Sequence, residues 1–207
     1  MLFYAPLKRL MDVSCASVLL VLFLPIWLVV PILIKLDSPG PVFYKHRRVG
    51  KNDRDFEMYK FRSMFVNAHE YLHQKNPQLL KIFKDNDWKL ENDPRITRLG
   101  KILRSITIDE FPQIVNVLRG EMSIVGPRAY MRQEITEQVK KYPQTQRNLQ
   151  AIYSIKPGVT GPWQVSGRNV LPFTKRTELD AQYARTKSLL NDLRILLKTP
   201  QAMFSKW

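Results

Sequence analysis

Asp109 and Glu110 are adjacent carboxylates in a chain otherwise rich in cations. A short basic segment, Ile96-Thr-Arg-Leu-Gly-Lys-Ile-Leu-Arg104, leads straight to them and sets Arg98, Lys101 and Arg104 beside a candidate nucleophile. Two readings compete for the acidic pair. In one it is reactive. In the other, Thr107-Ile-Asp-Glu110 is an S/T-x-x-E capping box, with Glu110 reaching back to the N-cap amide at the positive end of a helix.

Either reading needs a helix there, and its signals are legible. Pro112 is tolerated only in a first turn, Phe111, Ile114, Val115 and Leu118 form an apolar stripe, and Gly120 is a natural stop. Beyond it, Gly126-Pro127-Arg128 is a tight turn that delivers a guanidinium. Upstream, residues 42–49 and 56–64 alternate as two strands joined by a turn at 51–54. On the second strand Lys60 and Arg62 share a face. They either grip an anion such as phosphate or form a solvated basic surface.

Residues 65–90 read as a polar helical excursion with Leu72, Leu79, Leu80, Ile82 and Phe83 as its apolar positions. His69 and His73 stand at i, i+4 within it. Glu70 lies between them, the H-E-x-x-H spacing of a zinc site, but no third ligand is near, so they read as surface residues. Residues 130–150 form one amphipathic helix. Residues 178–197 form a closing helix whose basic and apolar content suits a membrane surface, and the Trp207 end reads likewise. Between these two helices lies Lys156-Pro-Gly-Val-Thr-Gly-Pro-Trp-Gln-Val-Ser-Gly-Arg168, whose three glycines and two prolines permit close backbone approach to a ligand. Trp163 offers a face to stack on a base, and Arg168 a partner for phosphate. The loop carries neither the P-loop nor the dinucleotide fingerprint.

The 207 residues can bury one substantial core, so one main domain is expected. Lys and Arg number 33 against 18 Asp and Glu, a net charge of +15, which implies an anionic partner: nucleic acid, acidic membrane or phosphorylated substrate. Cys15 is the lone cysteine, which excludes an intrachain disulfide and an all-cysteine metal site.

From 13 to 36 only Lys35 is charged, and the run is long enough to span a bilayer. It is too long, and lacks the cleavage site, for a signal peptide. Pro25 and Pro31 each remove a backbone hydrogen bond. Basic residues flank both ends, Lys8 and Arg9 before and Lys35, Lys45, Arg47 and Arg48 after, which favours the cytoplasm for both. A hairpin broken at Leu24-Pro25 that enters and leaves by one face satisfies this better than a straight span; a buried core helix is the third option. The turn cluster at 37–41 ends it. The expected fold is mainly α with a small β element (α+β). It comprises a re-entrant hairpin at 1–36 and a compact cytosolic catalytic domain at 37–207, with interfacial helices around the hairpin.

With these segments in order, the chain resembles the bacterial sugar transferases, the monotopic polyprenyl-phosphate phosphoglycosyl transferases. The resemblance rests on Lys8-Arg9…Asp12 with its proline-broken helix, Tyr59-Lys-Phe-Arg-Ser-Met64, Asp93-Pro-Arg-Ile-Thr-Arg-Leu-Gly100 and Asp109-Glu-Phe-Pro-Gln113. It continues through Met122-Ser-Ile-Val-Gly-Pro-Arg128, Lys156-Pro-Gly-Val-Thr-Gly161 and Gln164-Val-Ser-Gly-Arg168, covering nearly the whole chain. Ala129 stands where a second proline is common in the family, and Thr107-Ile108 where Ser-Leu is common.

The resemblance implies transfer of a sugar-1-phosphate, of galactose or glucose type, from a UDP-sugar to undecaprenyl phosphate with release of UMP. That step initiates exopolysaccharide, capsule, O-antigen or glycoprotein glycan assembly. It implies Asp109 as nucleophile and Glu110 as its partner toward Mg²⁺, with Lys60, Arg62, Arg95, Arg104, Arg128 and Arg168 as phosphate and donor contacts. It implies a monotopic protein at the bacterial inner membrane, its active site on the cytoplasmic face and phospholipids around the hairpin. A homodimer is compatible with it, and nucleic acid is not an expected partner.

Two rivals explain part of the sequence. A membrane-attached binder of nucleic acid or anionic lipid accounts for the charge and the hairpin, but not for the acidic pair or the Gly-Pro loops. A glycosyltransferase that moves the sugar without its phosphate usually needs a larger nucleotide-binding domain than 207 residues with a membrane segment supply. The products separate the three: UMP, UDP, or no nucleotide.

Overall fold

A computed structural model of the chain describes residues 4–203; the expectation for the Trp207 end lies outside them. Two helices open it, α1 (Tyr4–Leu22) and α2 (Leu24–Asp37), bent by 62° at Phe23. The bend falls one residue before the expected Leu24-Pro25. Pro25 sits in the first turn of α2, where its missing N–H costs nothing, so the ladder of α1 must end ahead of it. Neither helix alone is long and apolar enough to cross a membrane, but the bent pair together is. Val18, Val21, Leu22, Leu24, Leu28, Ile32 and Leu36 lie exposed along it, while Val30 and Ile34 pack against Phe61 and Leu103.

β1 (Phe43–Val49) and β2 (Asp55–Phe61) form the expected antiparallel hairpin, with Phe43 opposite Phe61 and Tyr44 opposite Lys60. Asn52 and Asp53 take positive φ in its turn, as Asn and Asp do most readily. The 65–90 excursion is three short pieces rather than one helix: α3 (Ala68–Glu70), a π-turn (Tyr71–Lys75) and α4 (Pro77–Asp85). Asn76 interrupts it, leaving helical geometry to cap the Leu79 amide at 3.1 Å.

α5 (Arg98–Ser105) is capped by the Thr97 hydroxyl on the Gly100 amide. A 3₁₀ turn (Ile108–Glu110) carries the acidic pair, and α6 (Gln113–Arg119) follows, closed by Gly120 at φ 80°. β3 (Ser123–Val125) then pairs in parallel with β4 (Gly158–Thr160), a sheet with no signal in the sequence. A Cβ on Gly158 would stand 2.1 Å from the Gly126 nitrogen, so the two Gly-Pro loops touch backbone to backbone.

The helix expected over 130–150 is two, α7 (Arg132–Lys141) and α8 (Gln146–Tyr153). Pro143 cannot continue the first and instead opens a 3₁₀ turn. After the short α9 (Pro162–Val165), the single closing helix expected over 178–197 also proves to be two, α10 (Phe173–Thr186) and α11 (Leu189–Met203). Lys187 leaves helical geometry, and the Ser188 hydroxyl accepts from the Asn191 amide to start α11.

The main core joins Ala16 of α1, Met58 of β2, Ile114 and Val117 of α6, Ile124 and Val125 of β3, Tyr183 of α10 and Ile195 of α11. A polar stripe on α1 fixes its place. Lys8 pairs with Asp12 and Asp192, each at 3.3 Å. Asp12 accepts from the Ser123 hydroxyl and the Ile124 amide. Arg9 donates to the carbonyls of Val117 and Leu118 at 2.6 and 2.8 Å, closing the carboxyl end of α6. Asp12→Ala strands a buried amide and one side of Lys8, so it should destabilise the protein by on the order of 3 kcal/mol. Thermal unfolding in detergent checks this; an unchanged midpoint would mean the stripe holds nothing.

Candidate active site

Asp109 is 1% exposed, and its Oδ1 has no hydrogen-bond partner. Glu110 beside it is about a quarter exposed and accepts from the Lys60 ammonium at 2.5 Å. Lys60 reaches it because α6 is stitched to β2. Asn116 accepts the Tyr59 amide at 3.0 Å and donates to the Glu57 carbonyl at 2.7 Å. That residue type carried no signal in the sequence, yet it sets the lysine in register with the acidic pair.

Burial pushes the Asp109 carboxyl above the usual carboxylate range, Lys60 and Arg104 pulling against it and Glu110 adding to it. Burial also works to raise Glu110. The Lys60 charge and hydrogen bond, helped by Arg128 and Arg168, outweigh that and hold it below its ordinary value. The two carboxylates are thus driven apart, Asp109 toward the protonated form and Glu110 firmly ionised.

Thr107 takes φ 62° and its hydroxyl makes no cap, which overturns the capping-box reading. A capping Thr adopts extended geometry and bonds forward to the helix; this one accepts from Arg168 at 2.9 Å instead. Glu110 is turned to Lys60 rather than back to the N-cap amide.

The structure gathers four of the six expected phosphate contacts. Lys60, Arg104, Arg128 and Arg168 all bear electrostatically on the pair. Arg104 is steadied by the Ser63 hydroxyl at 3.1 Å. Arg128 lies over the Trp163 ring at 4.7 Å, so Trp163, buried and already covered by a guanidinium, is not an open platform for a base.

The other two go elsewhere. Arg62 does not share an anion with Lys60; it donates to the carbonyls of Pro39 and Ser38 and weakly to Ile34, closing the carboxyl end of α2. β2 ends at Phe61, so the strand alternation that would align Lys60 with Arg62 stops between them. Arg95 makes a buried bidentate pair with Asp93 at 2.8 and 2.6 Å. His69 and His73 stack on one another with centroids 4.0 Å apart, and no group of three metal-ligating side chains occurs among the described residues.

Behind Arg128 lies a residue the sequence reading missed. Asp180 is fully buried and accepts from the Arg128 amide at 2.9 Å and the Tyr130 hydroxyl at 3.2 Å. Its signal was present: Phe173, Thr177, Asp180, Ala181 and Ala184 make one buried helical stripe containing an acid. Burial pushes its carboxyl up to about 7, against the opposing pull of the amide and the hydroxyl.

The folded protein therefore holds this proton in a window where the unfolded chain, with a carboxyl near about 3.9, has lost it. Stability should fall as pH rises from about 4 through about 7. Asp180→Asn, which has no proton to lose, should flatten that part of the curve. Unfolding midpoints of the two proteins between pH 5 and 8, values bracketing the upper window, measure the difference; parallel curves would contradict it.

A family model described as "Bacterial sugar transferase" matches residues 3–206. The exopolysaccharide production protein ExoY of Rhizobium meliloti is 40% identical over 201 residues, covering 95% of this chain and 84% of that protein. The undecaprenyl-phosphate galactose phosphotransferase of Salmonella typhimurium is 37% identical, covering 97% of this chain and 41% of the relative. The UDP-glucose:undecaprenyl-phosphate glucose-1-phosphate transferase of Xanthomonas campestris is 39% identical, covering 95% and 38%. The chain thus spans most of the first relative and about two-fifths of the other two. Matched over almost its whole length, the chain belongs to the bacterial sugar transferase family.

Proposed function

We propose that the protein moves a hexose-1-phosphate from a UDP-hexose to undecaprenyl phosphate and releases UMP. The observation that carries this reading is buried Asp109 beside Glu110, with Lys60 bonded to Glu110 and Arg104, Arg128 and Arg168 bearing electrostatically on the two carboxylates. In the first step an Asp109 oxygen attacks the phosphorus that bears the sugar. The bond to the bridging oxygen breaks, UMP leaves with that oxygen, and the phosphosugar stays on Asp109 as an acyl phosphate. In the second, an oxygen of the lipid phosphate attacks the same phosphorus and the Asp109 carboxylate is restored. Lys60, Arg104 and Arg128 offset charge on the transferring group, the main service an enzyme renders phosphoryl transfer.

The residues present fit Mg²⁺. Asp109 Oδ1 is buried without a partner, and Glu110 is ionised with only Oε1 engaged by Lys60. Two carboxylates suffice, because Mg²⁺ takes its remaining ligands from water and substrate phosphates. Once bound it would supply positive charge to the diphosphate; Glu110 would be its main holder.

The bent α1–α2 pair supports a re-entrant hairpin in the bacterial inner membrane, with both ends on the cytoplasmic side. Its exposed apolar side chains would lie among lipid chains and bring the acidic pair to the depth of a lipid phosphate.

Nucleotide release from detergent-held protein given UDP-galactose or UDP-glucose, Mg²⁺ and undecaprenyl phosphate tests the reaction class. UMP is expected, with a loss of about 10³-fold or more in Asp109→Asn. UDP would mean glycosyl transfer, no nucleotide a binding protein, and UMP undiminished in Asp109→Asn a different nucleophile.

A further inference from the structure

Two residues with side chains hold left-handed backbone geometry close to the acidic pair, and they are bonded to each other. Thr107, at φ 62°, precedes Asp109 by two positions; Arg168, at φ 49°, ends the second Gly-Pro loop. A β-branched residue in this region is strained, and such strain persists only where the surroundings enforce it. The Arg168 guanidinium is the enforcing group. One nitrogen donates to the Thr107 hydroxyl at 2.9 Å. Another donates to the carbonyls of Ala202 and Met203, at 2.8 and 3.3 Å, at the carboxyl end of α11.

That end is a fitting seat for a cation, since its last carbonyls lack helical partners and carry the negative pole of the helix. α11 is itself firmly placed. Asp192 is buried against Lys8, Tyr4 and Tyr183; Ile195 is in the main core; Thr199 meets Thr160 of β4 at 2.8 Å. Arg168 is 8% exposed, so most of its side chain is committed to these contacts.

We propose that Arg168 is a positioning residue through which the carboxyl end of α11 holds the turn carrying Asp109 and Glu110, so that the site is complete only with that helix end seated. This replaces the expectation that Arg168 grips the donor phosphate, and it rests on the reading of Asp109 as the nucleophile. The helix end at Ala202 and the far side of the turn at Phe111 are distant in sequence, and Arg168 is the bridge.

The test uses three variants of the full chain. Thr107→Val keeps the side-chain shape and removes the acceptor. Ala202→Pro displaces the last turn of α11. Each is also combined with Arg168→Gln. In the UMP assay both single variants should lower kcat about tenfold with the donor KM within about twofold, and neither should add more than about twofold once Arg168 is Gln. A donor KM raised with kcat intact would overturn the proposal in favour of direct donor contact. Losses that multiply in the Arg168→Gln background would also overturn it, because the helix end would then act by another route.

Hydrogen exchange of the segment 105–112, read by mass spectrometry without substrate, tests the same bridge independently of any reaction. Exchange there should rise in Thr107→Val and Ala202→Pro while α6 stays protected. Unchanged exchange would contradict the bridge even if UMP is formed. Raised exchange in a protein that forms no UMP would sink the reaction and keep the bridge.

Discussion

A carboxylate at 1% exposure with a second carboxylate next to it in sequence has to be surrounded by positive charge, or one of the two must be neutral. Much of the fold answers that constraint. Lys60 comes from β2, Arg104 from α5, Arg128 from the turn after β3 and Arg168 from the loop after α9, so four separate elements must converge on one turn. The backbone contact between the two Gly-Pro loops is what lets the last two arrive together. Gly126, two residues before Arg128, is pressed against Gly158 at the start of the strand that leads through α9 to Arg168.

The opening hairpin is tied to the same turn by polar contacts rather than by apolar packing alone. Arg9 closes the carboxyl end of α6, the helix that begins three residues after Glu110, and Arg62 closes the carboxyl end of α2 one residue past β2. Two arginines, each bonded to helix-end carbonyls, thus lock the hairpin to the elements carrying Lys60 and the acidic pair. On the proposed membrane placement this fixes the height of the reactive carboxylate relative to the lipid phosphates. In the proposed reaction rigid attachment has a use, because its two substrates would come from different phases and one carboxylate would meet both.

The sequence disclosed what is local. Proline spacing marked the break between α1 and α2, alternation marked β1 and β2, Gly120 marked the end of α6, and two adjacent acids in a basic chain marked the candidate site. It did not disclose what depends on distant backbone. β3 and β4 have three residues each and pair across the intervening residues 126–157, too short a strand for any periodicity to register. An arginine whose partners are carbonyls looks the same in sequence as one awaiting phosphate, which is why Arg62 and Arg168 were read alike. The capping pattern is defined by residue types, whereas Thr107 takes a left-handed φ and its hydroxyl accepts from Arg168, 61 positions away. Asp180 carries no signal of its partners, which are a backbone amide and a phenol from a distant part of the chain.

The central claim is that Asp109 carries the phosphosugar between the two substrates. Intact-mass spectrometry of the detergent-held protein, given UDP-hexose and Mg²⁺ but no lipid phosphate, tests it most directly. The expected result is an increase by the mass of one hexose phosphate, mapped by peptide sequencing to Asp109 and discharged when undecaprenyl phosphate is added. An unmodified protein that nevertheless turns over once both substrates are present would contradict it, and would mean direct transfer from donor to lipid.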